Sequence, residues 1–474
     1  MEFRQARYAE RMLKEYSSGS SFFLHQDEVP DWIPAEIRRS SLMLPEVSEY
    51  DVIRHFTRLS QMNYSVDTGL YPLGSCTMKF NPKYADRIAS MAEFSEMHPL
   101  SDESLVQGSL QVMYELQEML KDISRMDEVS LQPPAGAQGE FTGICIVKKY
   151  FQDAGVADVR DEILIPDSAH GTNPASAAMG GFKTIEIPSN GNGTVDVDAL
   201  KAALSERTAA LMITNPNTLG IFETEIEEIA RLVHEAGAFL YYDGANFNAI
   251  LGKTAPGKMG FDITHFNLHK TFATPHGGGG PGAGPVGVRG KLAEYLPVPV
   301  IRYRDGKYVL DSSLKHTIGK VSAYFGNFGI LLRAWAYIRR NGSEGLENVS
   351  ETAVLNTNYL ARKLASTYLV PKGKLKKHEV VISSENTGRR ALDIAKFLLD
   401  EGIHPPTVYF PLTVHEAMMI EVTESASKDD IDTFAEALIR AASEDPEKLK
   451  KLPQNTAVGR VDEVKAARDL KLKW

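Results

Sequence analysis

Between residues 127 and 289 the sequence repeats one rhythm: a short apolar run, a cluster of turn residues, then a window with helical spacing. The apolar runs fall at 128–132, 162–166, 183–188, 208–214, 238–243, 263–268 and 286–289. Helical windows lie between several of them, at 138–151, 198–204 and 223–235; in the first, Phe141, Ile144, Val147 and Phe151 share one face. Parallel strands need a crossover between them, usually a helix, and a sheet built that way is covered on both faces. The rhythm therefore predicts an α/β fold around a seven-stranded, mostly parallel sheet. Ligands of such sheets bind outside the carboxyl ends of the strands. The residues that follow Gln132, Pro166, Thr214, Asp243 and Leu268 are expected around one crevice.

The flanks do not share this rhythm. A chain of 474 residues is too long for one core, and three parts are expected. Residues 1–110 read as an N-terminal arm with little core of its own, interrupted by Pro30, Pro34, Pro45 and Pro72, with a helix following at about 104–123. Residues 111–325 form the large sheet domain. Residues 326–474 read as a small C-terminal α+β domain, with helices at 328–338, 351–367, 391–401 and 429–442 and strands at 378–382 and 417–422. Ser427 and Asp429 are candidate N-caps there, and the lysine-rich tail at 447–451 and 465–474 reads as solvated helix. The first residues carry Arg4, Arg7 and Arg11, but Glu2, Glu10 and Glu15 oppose a transit peptide, so an ordinary N-terminal helix is expected.

Charge and cysteine use narrow the function classes. Lys plus Arg number 52 against 62 Asp plus Glu, a formal charge of −10, and an acidic surface is a poor partner for nucleic acid or an anionic membrane. No apolar run approaches the roughly 18–20 residues that span a bilayer. Cys76 and Cys145 are the two cysteines, too few for a disulfide framework, which points to a cytoplasmic protein with reduced thiols. No metal is expected: no Cys or His pair has zinc spacing, and Ala238 stands where the His234-Glu235 pair would need its second histidine. The spacing Gly282-x-Gly284-x-x-Gly287 contains Pro285 and precedes a strand, so it fails as a dinucleotide site.

The chemistry concentrates at the predicted strand ends. Lys270 sits in Asn267-Leu268-His269-Lys270-Thr271, just ahead of the glycine run from 277 to 282. A buried Lys amine with depressed basicity is the nucleophile that forms a Schiff base with a carbonyl cofactor. Asp243 ends the strand before it, in Tyr242-Asp243-Gly244-Ala245. A carboxylate there suits the ring nitrogen of pyridoxal 5'-phosphate, which it would keep protonated, and the small Ala245 lets a ring lie flat against the chain. Ala135, Gly136, Ala137 and Gln138 open a helix, where free N–H groups suit a phosphate. His170 lies at the edge where it can stack on a planar ring, and Asn215 or Thr218 offers a partner for a ring hydroxyl.

In this order the motifs resemble the large domain of fold-type I pyridoxal phosphate enzymes. With Tyr71-Pro72-Leu73-Gly74-Ser75-Cys76-Thr77-Met78-Lys79-Phe80-Asn81-Pro82 added, the chain resembles the glycine cleavage system P-protein family, and within it the lysine-bearing subunit of the two-chain bacterial and archaeal form. The resemblance implies a glycine dehydrogenase (decarboxylating) in which Lys270 carries pyridoxal 5'-phosphate, His170 stacks on its ring, Asp243 pairs with the ring nitrogen and residues 135–138 hold the phosphate. It further implies glycine as substrate, transfer of the aminomethyl group to the lipoyl disulfide of the H-protein, and a homologous subunit 1 in a two-plus-two heterotetramer. Lys270 or His269 is the proton shuttle. Ser75, Cys76, Thr77 and His98 either line the glycine side or fold the arm over the pocket. The rival readings are another fold-type I reaction, such as amino transfer or cysteine desulfuration, and a non-catalytic scaffold subunit.

Overall fold

The computed structural model describes residues 4–16, 34–38, 45, 47–276, 282–371 and 375–470. Seven strands form the large sheet: β1 Glu128–Ser130, β2 Glu162–Pro166, β3 Lys183–Ile187, β4 Thr208–Ile213, β5 Phe239–Tyr242, β6 Ile263–His265 and β7 Val286–Val288. Their order is β1-β7-β6-β5-β4-β2-β3. Every pairing is parallel except those of β7, which runs antiparallel to both β1 and β6. Strands β2, β4 and β5 are buried along their whole length, as interior strands covered on both faces must be. At the edge, β3 exposes Lys183, Thr184 and Glu186, and charge on an edge strand discourages pairing with another chain.

Each expected strand is present, and most are shorter at the carboxyl end than the apolar run suggests. The run at 263–268 pairs only over Ile263–His265; residues 266 and 267 turn out of the sheet, and Asn267 caps a short helix, Leu268–Thr271. That early exit carries Lys270 into the crevice. The expected helices at 138–151, 198–204 and 223–235 appear as Gly136–Asp153, Val197–Ala203 and Ile226–Glu235. Two hydrophobic clusters, one on each face of the sheet, are built from these helices and strands.

Beyond the sheet, the two helices expected at 328–338 and 351–367 are one long element, Phe328–Leu364, broken at Gly342, whose φ of 63° and ψ of −172° are not helical. Its first half packs into the large-sheet core through Ile330, Leu331, Ala334 and Tyr337, and its second half, through Leu360 and Leu364, into a separate C-terminal cluster. That cluster lies on a three-stranded antiparallel sheet of Glu379–Ser383, Ala417–Glu421 and Thr407–Val408. Ser427 caps helix Lys428–Ser443 in a capping box with Asp430; Asp429 lies inside the first turn.

The N-terminal region differs from the expected helix. Leu13–Tyr16 is a single 3-10 turn, and the segment before it is held to helix Glu49–Gln61 by Glu10, which binds His55 at 3.0 Å and Arg58 at 3.1 Å. Pro30 of the expected arm, the glycines and proline at 277–281 and the last residues of the lysine-rich tail lie outside the described residues. A hairpin of Val300–Arg304 and Lys307–Asp311 was not foreseen.

Candidate active site

Five loops leave the carboxyl ends of parallel strands on one side of the sheet, and all five reach one pocket: Gly136 after β1, His170 after β2, Thr218 after β4, Asp243 after β5 and Lys270 after β6. Ser75 from the N-terminal region and His378 and Glu379 from the C-terminal sheet close it.

Asp243 is 3% exposed, so its charge must be stabilised by the protein itself. One carboxylate oxygen accepts the Ala245 N–H at 3.0 Å and lies 3.4 Å from His265 Nε2. The other His265 nitrogen, Nδ1, is 3.1 Å from the hydroxyl of Tyr241, which also lies 3.2 Å from the Glu140 carbonyl oxygen. With the hydroxyl proton given to Nδ1, the imidazole N–H is on Nε2 and faces Asp243. Burial pushes the His265 pKa down, so this relay holds a neutral imidazole against the carboxylate.

Lys270 lies in the same pocket, and its Nζ donates to the Ser75 carbonyl oxygen at 2.6 Å. His170 is also driven toward the neutral form by burial. Its Nδ1 accepts the Thr172 N–H at 3.3 Å, which leaves the proton on Nε2. Phe410 meets the ring edge-on at 5.6 Å between centroids.

Helix Gly136–Asp153 begins without a side-chain cap, so its first N–H groups point out with the positive end of the helix dipole. The backbone is crowded there. A Cβ at Gly136 would lie 2.1 Å from Asn267 Oδ1, and one at Gly139 would lie 2.2 Å from the Gly284 carbonyl. Glu140, one turn on, is pushed up to about 7, first by burial and then by the charge of Asp243. Its Oε1 and the Oδ1 of Asn267 have no partner among the described residues, though both side chains belong to the pocket wall. The Lys270 amine and the uncapped helix N-terminus offer the nucleophile and the N–H donors, and the buried Asp243 carboxylate the acceptor, that suit the aldehyde, the phosphate and the ring nitrogen of a phosphorylated pyridine aldehyde.

Of the residues singled out by sequence, Lys270, Asp243, Ala245, His170, Gly136, Ala137 and Thr218 line this pocket. Ala135 and Gln138 flank it, Ala135 as the N-cap and Gln138 exposed in the first turn. Asn215 turns away: its Oδ1 accepts the Glu223 N–H at 3.0 Å, while Thr214 and Pro216 on either side face the pocket. His269 also turns away, packing edge-on against His276 at 5.2 Å, and burial with the neighbouring His276 lowers its pKa to about 3. His98 is not in the pocket wall; its Nδ1 accepts the Leu100 N–H at 3.1 Å.

Glu140, Thr172, Asn246, His265, His378 and Glu379 were not singled out by sequence. For His265 and Glu379 a signal existed, an ionisable residue at one end of a short, wholly buried strand. Three polar groups brought together by the fold, those of His378, Glu379 and Glu421, lie within 4.8 Å of one another, although no sequence spacing suggested a cluster.

Relatives share this chain from end to end. It is 65% identical to the probable glycine dehydrogenase (decarboxylating) subunit 2 of Thermoplasma acidophilum, over 100% of both chains. With the protein of the same name from Pyrococcus horikoshii it is 57% identical, over 100% of this chain and 97% of that one. The chain belongs to the glycine dehydrogenase (decarboxylating) subunit 2 family. Residues 349–458 match the family profile described as glycine dehydrogenase, C-terminal domain, and residues 142–284 match aminotransferase class-V.

Among solved structures, an inhibitor-bound glycine decarboxylase (P-protein) of the glycine cleavage system superposes with a TM-score of 0.74 at 20% identity, over 86% of this chain and 93% of that one. A cysteine desulfurase from Thermococcus onnurineus superposes at 0.64 and 14% identity, over 80% and 95%. The fold is thus that of the fold-type I enzymes. Among the described residues, no helix is long and apolar enough to cross a membrane.

Proposed function

We propose that this chain binds pyridoxal 5'-phosphate and removes carbon dioxide from glycine, passing the aminomethyl group to the lipoyl disulfide of an H-protein. The observation that carries the reading is the convergence of Lys270, Asp243 and an uncapped helix N-terminus on one pocket at the strand ends. The bound cofactor's ring supplies an electron sink for the carbon that loses its carboxylate. Lys270 is the amine that anchors it. Asp243, held by Ala245 and His265, keeps a negative charge at the ring nitrogen. The N–H groups of Gly136, Ala137 and Gln138 receive the phosphate, and His170, neutral with its proton on Nε2, covers the ring face. Thr218 rather than Asn215 is the partner for the ring hydroxyl, because Thr218 lines the pocket while Asn215 turns to Glu223. The Thr218 hydroxyl already donates to the Ser168 carbonyl, so toward the ring it acts as an acceptor.

In the overall reaction the electron pair of the Cα–carboxylate bond ends in a new carbon–sulfur bond. The disulfide's other sulfur leaves as thiolate and takes a proton. Between the two shuttle candidates Lys270 is favoured, since it is in the pocket and His269 faces His276. Cysteine desulfuration is disfavoured: burial raises the pKa of Cys76, the cysteine in the segment next to Lys270, and so suppresses the thiolate such an enzyme needs.

The reading includes a subunit 1 in a two-plus-two assembly and a cytoplasmic setting. It also includes the division into 1–110, 111–325 and 326–474; the separate cluster from Leu360 onward supports a C-terminal unit, while Ile330 to Val349 pack into the large-sheet core. The test is exchange of labelled carbon dioxide into glycine by the chain co-purified with subunit 1 and lipoylated H-protein. Exchange is expected, and Lys270→Ala is expected to abolish it together with the visible absorbance of the bound cofactor. Amino transfer to 2-oxo acids without exchange would overturn the reading.

A further inference from the structure

The Lys270 amine is tied to a segment 195 positions away, and that segment is held in an unusual shape. Ser75 and Thr77 both sit at positive φ, 62° and 46°, which costs about 1 kcal/mol or more for residues with a Cβ and persists only when neighbours over-determine it. The neighbours here belong to the C-terminal sheet. Leu73 bridges Ile420, and Gly74 N–H donates to the Met419 carbonyl at 3.2 Å. Thr407 donates its hydroxyl to the Gly74 carbonyl at 2.8 Å.

The two residues at positive φ are caught by two carboxyl groups. Ser75 N–H donates to Glu379 Oε2 at 3.2 Å. Thr77 donates its N–H at 3.0 Å and its hydroxyl at 2.8 Å to Glu421. Glu379 and Glu421 are directly opposite each other on neighbouring strands, and both are almost wholly buried. Like charges so placed repel, and burial together with the Glu421 charge raises the pKa of Glu379 far above the carboxylate range. The Ser75 N–H thus donates to a carboxyl group that burial and the neighbouring Glu421 drive toward its neutral form.

We propose that Glu379 and Glu421 are positioning residues for Lys270: they lock residues 73–77 so that the Ser75 carbonyl is a fixed dock for the amine whenever it is not bonded to cofactor. A carbonyl oxygen can only accept, so the dock keeps Nζ as a donor, turned toward Ser75 and away from the carbon that the substrate amine has taken. The meaning for catalysis rests on Lys270 being the cofactor lysine.

The test reads the amine in cofactor-free protein, so loss of glycine exchange would sink the proposed function without touching it. Reductive methylation by formaldehyde and a borohydride is followed by peptide mass at Lys270, with the exposed Lys183 as internal reference. Glu379→Met, which removes the acceptor, and Thr77→Val, which removes the hydroxyl donor, are expected to speed labelling of Lys270 about fivefold, the factor one ordinary hydrogen bond is worth. Glu379→Gln keeps an acceptor oxygen and is expected to label at the wild-type rate. Wild-type labelling in folded Glu379→Met and Thr77→Val overturns the proposal, as does Glu379→Gln labelling as fast as Glu379→Met. Should Glu379→Met not fold, Thr77→Val decides by the same criterion.

Discussion

Asp243 is a carboxylate shut away from water and held on one oxygen by a backbone N–H and an imidazole. Its surroundings fix where it points, not whether the fold survives without it. Replacing Asp243 by Ala is therefore expected to lower glycine exchange by at least about a hundredfold, the scale of losing one preorganised charge in a dry site. The thermal midpoint should stay within a few degrees, as calorimetry would show. This residue and Lys270 were legible in the sequence, because an acid and an amine at the ends of successive strands point into one crevice for local reasons. Asn215 was not: in the same loop Thr214 and Pro216 face the pocket while it faces Glu223, and only the path of the turn decides which side chain looks inward.

Among elements, the junction of helix Gly136–Asp153 with the chain entering β7 sets how far the helix N-terminus reaches into the pocket. A Cβ at Gly284 would lie 2.1 Å from the Ala135 carbonyl, so backbone would have to move. Gly284→Ala is expected to destabilise by about 1–3 kcal/mol and to weaken cofactor retention, both measurable by thermal melts with and without added pyridoxal phosphate. A second joint links the turn before helix Val197–Ala203 to the loop after β4. There the buried Glu223 carboxyl accepts the Val195 N–H at 3.1 Å and Asn217 Nδ2 at 3.2 Å, and burial pushes it up to about 7. The folded state keeps a proton that the unfolded chain has already released. Between the ordinary carboxylate range and about pH 7, stability should therefore fall as pH rises, and Glu223→Gln should flatten that decline in denaturant titrations. The strands themselves were legible from runs of apolar and β-branched residues. Their early ends were not, because Leu131, Phe266 and Leu268 leave the sheet although they are as apolar as the residues that stay.

For the whole molecule, Lys79 is the point where separate regions meet. Its side chain is 1% exposed, and its Nζ pairs with Glu424 at 2.9 Å while donating to Asn248 Oδ1 at 3.0 Å and to the Thr271 carbonyl at 2.8 Å, beside Lys270. Removing one member of a buried pair strands the other charge. Lys79→Met is expected to cost about 3–5 kcal/mol in denaturant midpoint, and adding Glu424→Gln should recover part of it. What the sequence determined by itself was the sheet, the kind of chemistry at its strand ends and the residues most central to it. Those follow from periodicity, chain connection and residue type, which act over a few positions. Only the tertiary structure decided that Ser75, Lys79, Glu379 and Glu421 come to lie around Lys270. Those residues belong to segments joined by long stretches of chain, and contact between such segments is set by how three layers pack rather than by any local preference.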